Sequence, residues 1–136
     1  MKRCVSNPLL VAGLLAGFAS VFSDRLDAQT FRVLHSFSGG VAGSHPQGLV
    51  LSGSRLYGTA QEGGDSVFYG MVYAINTDGT GFTNLHSFTF SDGSTPVGAL
   101  ILSGNTLYGT TKEGSFANDG TVFAVNVDGT GFTSRV

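Results

Sequence analysis

The constraint that governs this chain is a long internal repeat. His35-Ser36-Phe37 returns as His86-Ser87-Phe88, and Leu56-Tyr57-Gly58-Thr59 returns as Leu107-Tyr108-Gly109-Thr110, both at an offset of 51. Asn76-Thr77-Asp78-Gly79-Thr80-Gly81 returns as Asn126-Val127-Asp128-Gly129-Thr130-Gly131 at an offset of 50, so one residue is lost between Glu113-Gly114 and Gly120. Phe132-Thr133 opens a third copy, which runs to Val136. Repeats of about 20–50 residues build solenoids, propellers or arrays, in which one supersecondary unit cannot bury its apolar face alone.

Within each copy the pattern is that of short strands. Gly interrupts every window in which a helical i, i+3, i+4, i+7 pattern begins, and 21 glycines leave few uninterrupted stretches. Runs of Val, Ile, Leu, Phe, Tyr and Thr bounded by Gly, Ser, Asn and Asp predict strands at 48–52, 55–60, 71–76 and 82–88. The second copy predicts strands at 99–103, 106–111, 121–126 and 132–136, and a leading strand is expected at Phe31–Phe37. Ser52-Gly53-Ser54 and Ser103-Gly104-Asn105 read as minimal hairpin turns, and Asp78-Gly79 and Asp128-Gly129 as Asp-Gly turns. Longer Gly-rich loops alternate with them at 38–47, 61–70, 89–97 and 112–120. In an up-and-down meander this places all short turns at one end and all long loops at the other, where a site belongs.

The strands themselves predict what must lie around them. Leu49-Val50-Leu51, Val72-Tyr73-Ala74-Ile75 and Val122-Phe123-Ala124-Val125 are apolar without alternation. Side chains on a strand point to opposite faces in turn, so these sheets need cover on both sides. The expected fold is therefore all-β, with β-propeller-like antiparallel four-stranded blades packed face to face. Two repeats do not close a ring of about four to eight blades. Additional repeats or self-association are needed to cover the blade faces, and the expectation is a piece of a longer propeller.

Residues 1–28 read as a signal peptide, expected to form an N-terminal signal helix. Lys2 and Arg3 precede the apolar stretch Leu9–Phe22, polar Ser23-Asp24-Arg25 ends it, and Ala28 before Gln29 offers the cleavage point. That stretch is short of the roughly 20 residues a membrane helix needs, so membrane contact is expected only through the export signal. Residues 29–136 form the β-repeat domain, with repeat 1 at 31–81, repeat 2 at 82–131 and the start of repeat 3 at 132–136. The expected location is exported: extracellular, periplasmic or cell-surface. Cys4, the single cysteine, excludes an intramolecular disulfide and a Cys-based zinc motif. A net charge of −2, with no Lys/Arg cluster beyond Arg3, excludes the electrostatic footprint of a nucleic-acid binder.

The strings Leu-His-Ser-Phe, Leu-Tyr-Gly-Thr-Thr and Gly-Thr-Val-Phe-Ala-Val-Asn-Val-Asp-Gly-Thr-Gly resemble the Gloeo/Verruco (GloVer) repeat, from Phe31 to Val136. The resemblance implies an exported bacterial repeat protein, secreted or displayed on the cell surface. It brings no catalytic residues to carry over.

Several side chains invite a chemical reading. His35 and His86 are repeat-equivalent and flanked by apolar residues, which suits a packed imidazole. His45, with Asp92 or Asp119, lacks the spacing of a metal site. Asn76-x-Asp78-Gly79 and its copy lack the further oxygen ligands of a calcium loop. Glu62 and Glu113 open the long loops and are the carboxylates a glycosidase would pair. Tyr57 and Tyr108 are rings on which a sugar stacks. Phosphate-cradling, dinucleotide and nucleophile-elbow motifs are absent. The sequence thus predicts no catalytic residue, no metal and no cofactor. It points to a binding or display module for an extracellular glycan or cell-wall polymer, with Tyr57, Tyr108, Glu62 and Glu113 as ligand contacts. The alternatives are a carbohydrate-active propeller enzyme using the loop carboxylates, and a purely structural surface spacer.

Overall fold

The computed structural model describes residues 30–136 apart from 67; the signal peptide and signal helix expected at 1–28, with Cys4, lie outside the described residues. Eight strands follow in order: β1 Ser44–Ser52, β2 Arg55–Glu62, β3 Met71–Asn76, β4 Thr83–Ser87, β5 Ser94–Ser103, β6 Thr106–Glu113, β7 Thr121–Asn126 and β8 Thr133–Arg135. They form two four-stranded antiparallel sheets, β1-β2-β3-β4 and β5-β6-β7-β8, in which every neighbour in sequence is a neighbour in space. Among the described residues the one other element is a short 3-10 turn at Gly40–Ala42. The all-β expectation holds, and eight of the strands overlap the apolar runs that announce them.

The turns follow from local chemistry. Ser52 pairs with Arg55 across Gly53 at φ 56°, and Ser103 pairs with Thr106 across Gly104 at φ 58°. Glycine tolerates that positive φ at the first central position of a two-residue hairpin. The Asp-Gly turns are close copies of one another. Thr80 donates both its N–H (2.9 Å) and its hydroxyl (2.6 Å) to Asp78 Oδ1, and Thr130 does the same to Asp128 Oδ1.

β1 and β5 begin four and five residues before the apolar runs that announce them. Each passes through a proline, Pro46 or Pro96, and the register then shifts between Pro46 and Leu49 and between Val97 and Ile101. Both are edge strands, where a missing N–H is tolerated, and a bulge absorbs the extra residue. The residue before each proline, His45 or Thr95, has a left-handed φ of 53° or 54°, so the irregularity belongs to the repeat.

Residues Val33–Val136 make one unit, and its main core lies between the sheets. Tyr57, Val72 and Ala74 of the first sheet meet Leu100, Leu107, Phe123 and Val125 of the second, with Phe88 closing the cluster. On the outer side of the first sheet Ala60, Met71, Tyr73 and Ile75 are buried beneath Leu34 and Phe37. β3 is therefore covered on both faces from Met71 to Ile75. β7 is not: Phe123 and Val125 are buried while Val122 stands out. Burial on both faces, expected of every sheet, holds for β3 but not for β1, where Leu49 and Leu51 are exposed, and it fails for the second sheet, against whose outer side no third layer of described residues lies.

The leading strand expected at Phe31–Phe37 is also corrected. Those residues carry no strand pairing; β3, the strand with which their repeat equivalent Phe82–Phe88 pairs, is already flanked by β2 and β4. Leu34 and Phe37 act through their side chains instead. Leu34 O would sit 3.0 Å from a β-carbon at Gly79, as Leu85 O would from one at Gly129. The leading segment thus covers the first sheet as the Leu85–Phe88 stretch covers the second.

Candidate functional site

The up-and-down order sends alternate connections to opposite ends, so loops 63–70, 88–93 and 114–120 share an end with the segment before β1. They are tied together there. Ser115 N–H donates to Phe90 O at 2.8 Å and Thr95 N–H to Tyr69 O at 3.0 Å. A β-carbon at Gly63 would fall 2.4 Å from Gly43 Cα, and one at Gly114 2.6 Å from Gly93 Cα. These glycine pairs let two backbones cross at the rim of each sheet.

Two polar groupings lie at this end. Asp65, Asn84, Leu85, His86 and Ser87 line an open cleft of about 480 Å³. Ser87 Oγ accepts from Asn84 Nδ2 at 2.7 Å and from Asp65 N–H at 3.0 Å. His86 lies flat on Phe132, ring centroids 3.4 Å apart, with Nε2 3.3 Å from Asp92 Oδ2. Nε2 is buried there and makes no full hydrogen bond, so the Asp92 carboxylate acts on it mainly as a nearby charge. Burial holds the His86 pKa below its ordinary value, and the Asp92 carboxylate offsets only part of this. Ser87 and His86 make no bond to each other, so there is no nucleophile–base pair here.

The second grouping sits at the start of β1. Ser44 Oγ donates to Glu62 Oε2 at 2.6 Å, and His45 Nδ1 lies 3.8 Å from the same oxygen. The second repeat has Thr95 in place of His45, and Glu113 Oε1 there faces Lys112 Nζ at 3.6 Å. His45 joins neither Asp92 nor Asp119, and among the described residues no group of three acidic, His or Cys side chains is placed to hold a metal. Asp78 and Asp128 spend Oδ1 on their own turns.

The four ligand contacts expected from the sequence part company. Glu62 and Glu113 close β2 and β6 at the long-loop end. Tyr57 is 5% exposed between the sheets, whereas Tyr108 is 42% exposed on the open face of the second sheet. Sequence reasoning missed the cleft, which joins Asp65 to a β4 segment of the next repeat copy. It also missed three loop phenylalanines, Phe68, Phe90 and Phe116, all exposed. Their signal was legible: large apolar residues in polar, Gly-rich loops.

No curated protein matches the chain. The family model of the Gloeobacter/Verrucomicrobia repeat matches residues 11–136. With both copies of the repeat forming equivalent sheets, the chain belongs to the Gloeobacter/Verrucomicrobia repeat family.

Proposed function

We propose that this chain is an exported binding or display module of the cell surface. On this reading its sheets are neighbouring blades of a propeller-like stack, and an extracellular glycan or cell-wall polymer is its ligand. The observation that carries the reading is the company kept at the long-loop end. Exposed Phe68 stands on the loop that gives Asp65 to the cleft, exposed Phe90 on the loop that follows Ser87, and exposed Phe116 on the next loop, tied to Phe90 O through Ser115 N–H. Flat apolar rings beside hydrogen-bonding groups suit sugars, which offer C–H faces and hydroxyl edges. Glu62 and Glu113 supply acceptors at the same end. The propeller reading is supported by the approach of the sheets at their first strands, where a β-carbon on Gly48 would fall 2.8 Å from Ala99 Cβ.

The test is pull-down on insoluble cell-wall polysaccharide. Each ring contact contributes about 0.5–1.5 kcal/mol, so Phe68→Ala with Phe116→Ala lowers affinity on the order of tenfold. Failure of the wild-type chain to bind any such polymer, or equal binding by the double variant, rejects the proposal. Polysaccharide turnover lost in Glu62→Gln and Glu113→Gln would establish the enzyme alternative. Indifference of every readout to loop exchange would leave a structural spacer.

A further inference from the structure

The second sheet carries, on its side away from the first, a surface the chain already uses once as an interface. Tyr108 and Val122 repeat Tyr57 and Val72 of the first sheet. Val72 is fully buried against the second sheet, while Val122 is 58% exposed. Ile101 stands beside them in the place of Val50, and Ala99 in the place of Gly48, so the open groove of about 160 Å³ has the relief of the buried face.

The opposite end of the stack carries the matching half. Leu49, Leu56, Tyr73 and Ile75 of the first sheet are the repeat equivalents of Leu100, Leu107, Phe123 and Val125, the four that fill the interface from the second sheet. Leu100 is 5% exposed there, whereas Leu49 is 51% exposed and borders a groove of about 130 Å³. Even the covering side chains correspond, since Leu34 and Phe37 lie over the first sheet as Leu85 and Phe88 lie in the interface.

We infer that a second copy of this chain docks on the Ile101–Tyr108–Val122 face through the outer face of its own first sheet, head to tail. The occupant follows from the interface inside the chain, where faces with these residues are already packed together. The two faces of such a contact differ, so it is heterologous and either closes into a ring or propagates. The inference does not rest on the proposed ligand, and polymer binding at the loop end is unaffected by its failure.

Sedimentation equilibrium of the full chain tests it, with three variants checked for β structure by circular dichroism. Val122→Glu spoils the open face of the second sheet and Leu49→Glu spoils the face that enters it. Both positions are exposed, so the charge is borne at the surface of the monomer. The double variant Leu49→Glu/Val122→Glu gives the association that uses neither of these faces. Relative to that baseline, each single variant is expected to be monomeric and the wild type to associate with concentration. An equimolar mixture of the two single variants is expected to form one dimer and nothing larger, because each supplies the face the other lacks. A wild type no more associated than the double variant overturns the proposal. So does a mixture that stays monomeric, or a single variant that associates as the wild type does.

Discussion

At the scale of residues, the repeat retains glycine for two different reasons. Gly53 and Gly104 supply a left-handed φ, but Gly58 and Gly109 have no such φ and are retained for space. A β-carbon on Gly109 would fall 2.5 Å from Phe123 Cζ, and one on Gly58 2.7 Å from the Tyr73 hydroxyl. Gly109→Ala is expected to cost about 1–3 kcal/mol in urea unfolding, the usual range for overpacking. Tyr73→Phe, which copies the second repeat, should change stability by less than about 1.5 kcal/mol, although burial pushes the Tyr73 phenol up to about 12. His86 gives a pH dependence. Its folded pKa lies below its ordinary 6.5, so between those values the unfolded chain binds the extra proton and stability rises with pH. Melting temperature should fall as pH drops through about 6.5, and His86→Gln should flatten that slope. Asp128, held below the usual carboxylate range by Thr130, adds a second loss at more acidic pH, as the pH falls through its folded pKa. Of the candidate site, the sequence showed Glu62 and Glu113 in their places. It did not show the His86–Asp92 approach, because neither the packing of Phe132 nor the path of the loop after β4 is a local property.

At the scale of elements, strand positions were legible because propensity and turn chemistry act over a few residues. The early starts of β1 and β5 were not, since a proline before an apolar run reads as loop until a neighbouring strand accepts its pairing. The leading segment shows the converse. Its composition is that of β4, yet a strand requires a free edge and β3 offers none. Phe37 instead packs its ring 5.1 Å from that of Tyr73, and His35 stacks on Phe82 at 3.9 Å. Phe37→Ala should therefore destabilise the first sheet by about 2–3 kcal/mol, less than the 3–5 of a fully buried ring. Hydrogen exchange would show the loss as faster exchange of β2 and β3 amides, with β6 and β7 less affected.

At the scale of the whole molecule, the second sheet ends the described stack with an apolar face outward. β8 repeats only the first part of β4, and beside β7 its Ser134-Arg135 takes the place that Val33-Leu34 of a docked copy would claim. Deleting Thr133–Val136 should therefore tighten the dimer formed by mixing Val122→Glu and Leu49→Glu chains, read by the same sedimentation experiment, while the sheets keep their circular dichroism. The eight strands that form, their order and their turns were written in the residues, beside a ninth at Phe31–Phe37 that does not form, because backbone geometry at Gly, Asp-Gly and β-branched positions is decided within a few bonds. Which face of a sheet is covered was not, because burial belongs to a pair of surfaces and not to one strand. Tyr57 and Tyr108 sit in nearly the same words of sequence, yet one is 5% and the other 42% exposed. The difference is whether another sheet lies against them.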